Sequence, residues 1–161
     1  MKKLFLSAVI LLCMFVGAVA QTKVSFNGPI GLDWKFKRCF MNGSTLVVDF
    51  VVENNTRNDM RMYITPSASG CNGLKAYDDE GNIYDGSDRG GPFSGKIGNK
   101  NLLNNIEFIP VGNMIKVRLQ ISGIDEYATL IKTLTMPTRC ESSDFADHIE
   151  LRVTNIPIPR E

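Results

Sequence analysis

Apolar residues recur at every second position through much of this chain, and that period confines the chain to half-buried β-strands. Over residues 45–53, Leu46, Val48, Phe50 and Val52 share one face, while Asp49 and Glu53 lie on the other with Val47 and Val51. Met60, Met62 and Ile64 alternate with Arg61, Tyr63 and Thr65. Ile115, Val117, Leu119 and Ile121 alternate with Lys116, Arg118 and Gln120, and Ile149, Leu151 and Val153 alternate with Glu150, Arg152 and Thr154. A helix would scatter each of these sets over both of its faces. Nearer the start, Ile30, Leu32, Trp34 and Phe36 oppose Asp33, Lys35 and Lys37. The pattern slips at Arg38-Cys39-Phe40, which predicts a bulge or a strand end.

Turn signals separate these runs. Asn42-Gly43 is a strong hairpin signal, residues 54–59 form a second polar turn, and residues 79–82 join 74–78 to 83–84 as a further hairpin. Strands are also expected over 101–109 and 129–136, and 124–130 has room for one helical turn. Pro157 and Pro159 end the last strand, because proline cannot continue a ladder. With no long amphipathic helix, no internal repeat and no linker, the pattern predicts an all-β fold. It is a single immunoglobulin-like antiparallel β-sandwich of roughly seven to nine strands over residues 21–161.

The first twenty residues read as a signal peptide. Lys2 and Lys3 precede an apolar run over 4–16, and Ala18-Val19-Ala20 supplies small residues for cleavage between Ala20 and Gln21. The run is too short and too close to the terminus for a spanning helix. Cys13 follows Leu11-Leu12, so a lipid-attachment pattern fails. The expectation is an exported domain, periplasmic or extracellular, with no membrane span in the mature chain. The 18 basic and 17 acidic residues nearly cancel and form no basic run, which argues against nucleic acid as a partner. Cys39, Cys71 and Cys140 remain after cleavage. In an oxidising compartment they allow one disulfide, with the pairing left open.

Three segments add a resemblance. Residues 46–56 (LVVDFVVENNT) resemble the second core strand and polar turn of small exported bacterial Ig-like domains. Residues 76–84 (AYDDEGNIY) look like their hairpin, and 109–119 (IPVGNMIKVRL) like their Pro-x-Gly turn and following strand. The resemblance implies an envelope or extracellular domain and carries over no catalytic residues. Trp34 precedes every mature cysteine, so the antibody Cys-Trp-Cys order is missing.

The chemistry-bearing residues form no recognisable site. His148 is the only histidine and sits on the polar side of its strand. A zinc site takes three or four ligands, and Ser142, Ser143 and Asp144 lie beside His148 without a nucleophile elbow. Asp78, Asp79, Glu80, Asp85 and Asp88, with Asn82, are oxygen ligands of the kind calcium takes, but they lack EF-hand order, and turn chemistry explains them. Residues 90–97 (GGPFSGKI) nearly spell a phosphate loop, yet Ile97 stands where Ser or Thr should hold magnesium.

The best candidate for recognition is the glycine-rich stretch 85–99, read as a long loop carrying Arg89, Phe93 and Lys96 toward a partner. The loop over 66–73, with Cys71, is a lesser one. Trp34 and Phe36 point inward, and Tyr63, Tyr77, Tyr84, Phe93 and Tyr127 are outer aromatics that a sugar-binding face would need to align. The expectation is therefore a non-enzymatic binding module without a cofactor, its partner an envelope or extracellular protein or glycan. A carbohydrate-binding accessory module is the alternative, and a secreted hydrolase is the third reading.

Overall fold

The computed structural model describes residues 23–28, 31–88, 91–143 and 146–160. The expected signal peptide, its cleavage point at Ala20 and Gln21, and Ile30, Arg89 and Asp144 lie outside the described residues. Among the described residues there is no helix, including over 124–130. There are twelve strands: β1 (Ser25–Asn27), β2 (Leu32–Asn42), β3 (Thr45–Asn54), β4 (Met60–Ile64), β5 (Lys75–Asp78), β6 (Ile83–Asp85), β7 (Phe93–Ile97), β8 (Lys100–Asn101), β9 (Glu107–Ile109), β10 (Met114–Ile121), β11 (Leu130–Glu141) and β12 (Ala146–Pro157).

They form two antiparallel sheets. One runs β2-β3-β10-β7-β8, and the other runs β1-β12-β11-β4-β9 with the β5–β6 hairpin attached to β11. The order β2-β3-β10-β7 reproduces strands A-B-E-D of an immunoglobulin domain, and β4-β11-β12 reproduces C-F-G. The protein is thus an immunoglobulin-like β-sandwich with seven core strands. The remaining segments are short additions of two to four residues. β11, twelve residues long, pairs with β5 through its first half and with β4 through its second.

Alternation places the core as the pattern predicts. Leu46, Val48, Phe50 and Val52 of β3, Met60, Met62 and Ile64 of β4, and Val117, Leu119 and Ile121 of β10 are all buried in one cluster between the sheets. Phe50 stands at its aromatic centre, edge-on to Phe26, Trp34 and Phe36 with ring centroids 5.9, 6.0 and 6.4 Å away. The slip at Arg38 is a register shift between Phe36 and Arg38 in the β2–β3 ladder. The stretch 101–109 corrects to two short strands, because residues 102–106 leave the sheet to bury Leu102 and to satisfy Asn104 N on Ile64 O.

The turn over residues 55–59 carries the chain from one sheet to the other and is organised by Asn54, which is fully buried. Its Nδ2 donates to Asn58 O and Ile109 O, each at 2.9 Å, and its Oδ1 accepts from Thr56 N and Thr56 Oγ1. A buried amide satisfied on every side fixes the turn and holds β9 beside β4.

Candidate functional site

The stretch 85–99 is not a long loop. Residues 93–97 form β7, which pairs with β10 from Phe93↔Ile121 to Ile97↔Val117. Phe93 is buried in the core at 4% exposure, so its reading as a partner contact is corrected: it alternates inward with Ile97. The glycines disguised this strand. Gly95 has φ 144°, and a Cβ there would stand 1.9 Å from Arg118 O, so β7 lies against β10 because Gly95 carries no side chain.

The same alternation sends Lys96 outward, onto the outer face of the five-stranded sheet. Pairing puts four side chains in one row across four strands: Arg38 of β2 opposite Asp49 of β3, Asp49 opposite Arg118 of β10, and Arg118 opposite Lys96 of β7. At the usual strand spacing the row spans about 14 Å. Lys116 stands in the next row of β10, opposite Val51. The bulge in β2 supplies one more cation. Strict alternation sends neighbours to opposite faces, whereas here Lys37 and Arg38 both line the same outer groove.

That groove encloses about 430 Å³ over a floor that includes Val51, rimmed by Lys37, Arg38, Lys96, Lys116 and Arg118, with Asp49 the only carboxylate lining it among the described residues. Asp49 ties down both arginines. Arg118 Nε and Nη2 donate to its two oxygens at 2.7 and 2.9 Å, and Arg38 Nε donates at 2.9 Å. The Arg118 guanidinium, with help from Arg38, holds the Asp49 carboxyl below its ordinary range against the opposing effect of burial. Arg38 also lies over the Phe40 ring, 5.5 Å from its centroid. Among the described residues, Lys37, Lys96 and Lys116 pair with no carboxylate. Five cations against one carboxylate leave this face locally positive, with both arginines held in place by Asp49.

The other candidates are engaged in structural roles. Asp78 is buried and accepts from Asn82 N, Asn82 Nδ2 and Tyr84 OH at 2.8, 2.9 and 2.8 Å. Asp79 accepts from Thr129 and Leu130, closing the loop before β11. Asp85 caps Ser87 N and pairs with Lys75 at 3.0 Å. In Asp78 and Asp79 burial pushes the carboxyl up, and the hydrogen bonds more than offset it, leaving both below their ordinary values. The Ser87 and Lys75 donors bring Asp85 down to about 2.

These carboxylates bind protons more tightly in the unfolded chain than in the fold. The stability they contribute is complete above the unfolded value near pH 4 and is lost as pH falls toward 2. Thermal melts from pH 6 to pH 2 should therefore show a falling melting temperature. Asp78→Asn should cost about 2 kcal/mol of stability at pH 7, lowering the melting temperature there, and flatten the acid limb. A melting temperature constant down to pH 3 would refute this account.

Tyr84 is buried, so it is corrected from an outer aromatic to a core residue that links Asp78 to Asp125 N. Tyr63 is half-buried against His148, edge-on at 6.4 Å, and under Arg139. Tyr127 stands alone at 71% exposure. Cys39, Cys71 and Cys140 are thiols. Cys39 Sγ, on the five-stranded sheet, donates to Pro157 O of the opposite sheet at 3.1 Å, and burial pushes its pKa up to about 11. At neutral pH the Cys39 side chain is therefore held mainly as the neutral thiol. Cys140 is buried in the core, and Cys71 sits in the loop over 66–73. Asn72 anchors that loop with two donor groups on the Glu150 carboxylate.

Comparison with known proteins adds little beyond this geometry. No protein-family model matches the sequence, and no curated protein matches it. Among solved structures, an ASH/PapD-like domain of human CEP192 (PapD-like domain 7) aligns over 81% of this chain and 87% of its own. The TM-score is 0.45 and the identity 9%.

Proposed function

We propose that this protein is an exported, non-enzymatic binding module that holds an anionic envelope or extracellular component on the outer face of its five-stranded sheet. The observation that carries the reading is the row Arg38–Asp49–Arg118–Lys96, flanked by Lys37 and Lys116, around a groove of about 430 Å³. Charges left without carboxylate partners on a rigid sheet favour a ligand that brings its own negative groups. Export rests on the leader over residues 1–20. The binding role, as opposed to a hydrolytic one, is supported by the engagement of the candidate acids in hydrogen bonds within their own hairpin and loops.

The test is capture from cell-envelope and culture-medium extracts. The wild type should retain a component that a Lys37→Glu, Lys96→Glu, Lys116→Glu variant of equal melting temperature releases. Equal retention by both proteins, or by neither, would remove the groove from the function.

A further inference from the structure

We infer that the groove's ligand is an acidic polysaccharide, laid across the strands so that successive acidic groups meet Arg38, Arg118 and Lys96 in turn. This rests on the reading of the groove as a binding surface and adds the chemical class of its occupant. The spacing is the first reason. Three cations of one row are distributed over about 14 Å, with Lys37 and Lys116 beside them, so one small anion would meet only part of the set. A chain with a negative group on repeated units meets all of it.

The state of the arginines is the second reason. Asp49 takes up only Nε of Arg38, and it takes up Nε and Nη2 of Arg118. Both terminal nitrogens of Arg38 and the Nη1 of Arg118 carry no hydrogen bond among the described residues, so each guanidinium keeps donors for an incoming oxyanion. The arrangement is held by Asp49 itself, whose side chain is only 16% exposed. Little side-chain order has to be acquired at these two positions on binding.

Other polyanions fit less well. Single-stranded nucleic acid is held by stacking on exposed rings; among the described residues Phe50 is the aromatic lining the groove and is 1% exposed, and the one exposed ring beside it, Phe40, is covered by Arg38. An acidic peptide binding by strand addition needs an open sheet edge. Arg38 stands on β2, the edge strand of its sheet, but Asp49, Arg118 and Lys96 lie on β3, β10 and β7, each paired on both sides, so a strand added beside β2 would leave most of the row unmet. Polysaccharide carboxylates or sulfates need neither rings nor a free edge, only placed cations above an apolar floor.

Calorimetric titration of the full chain distinguishes the possibilities. The probes are polygalacturonate for carboxylates, heparin for sulfates, dextran as a neutral glycan, and oligothymidylate. The expected result is binding of polygalacturonate, heparin or both, none of dextran, and an affinity that falls about tenfold or more between 50 and 200 mM salt. Lys37→Gln, Lys96→Gln, Lys116→Gln should weaken binding about tenfold or more without moving the melting temperature. Arg38→Gln should weaken it too, while Arg118 still neutralises Asp49.

The inference is overturned if neither acidic polysaccharide binds, if the lysine variant binds them undiminished, or if oligothymidylate binds as tightly as they do. Should groove-dependent capture from extracts persist while both acidic polysaccharides fail, the glycan class is wrong and the binding surface stands. If capture is also insensitive to the lysines, both readings fall.

Discussion

Phe50→Ala should lower the stability of the domain by about 3–5 kcal/mol, the range found when a large aromatic is removed from a packed core. Phe50 is 1% exposed and contacts Phe26, Trp34 and Phe36 edge-on, so three rings would face the resulting cavity. Those rings belong to β1 and β2, whose side chains cannot collapse inward without shifting the strands they sit on. Domains of this size hold together with roughly 5–15 kcal/mol in total, so the variant should melt on the order of 10–20 °C lower. Phe50→Leu refills most of the volume and should recover more than half of the loss. A loss below about 1 kcal/mol in Phe50→Ala would show that the aromatic cluster is not the packing centre.

Gly95→Ala should damage both the fold and the groove. Its φ of 144° disfavours any residue with a Cβ, and the added carbon would overlap Arg118 O at 1.9 Å, a backbone atom in the paired strand that has no rotamer to escape into. β7 must then move away from β10, loosening the ladder that runs from Phe93 to Ile97. The expected cost is about 3 kcal/mol or more from strain and weakened hydrogen bonds together.

Lys96 and Arg118 face each other across this pair, so binding of acidic polysaccharides should fall even where the variant remains folded. Gly81→Ala is the matching control, with φ 90° at the tip of the β5–β6 hairpin and open space around it. It should cost only about 1 kcal/mol and leave binding unchanged. Equal melting temperatures for the two variants would mean that the close approach at Gly95 is not tight.

Strands with strict alternation were legible in the sequence because one face of each is buried and the other wet. β3, β4 and β10 follow that rule, and the predicted faces are the observed core. The hairpin at Asn42-Gly43 and the bulge after Phe36 were equally legible, since each leaves a local mark. β7 was not. Gly95 interrupts its pattern, and the glycines around it suggest a loop, whereas the close contact that demands Gly95 involves a residue far along the chain. Tyr84 misled for a similar reason. Its hydroxyl is buried because Asp78 and Asp125 N supply partners that no local pattern announces.

The amino-acid sequence by itself determined the layers of this protein: which residues turn inward, where the chain reverses, and hence a two-sheet sandwich. Those properties depend on periods of two and on turn chemistry within a few residues. Only the tertiary structure decided the groove. Its cations come from β2, β7 and β10, so no basic run marks them, and the near-neutral balance of the whole chain conceals them. Antiparallel pairing sets their register, and the bulge in β2 turns Lys37 to the same side as Arg38. A charge density is a property of distances in space, and strand pairing brings together residues that the sequence holds tens of positions apart.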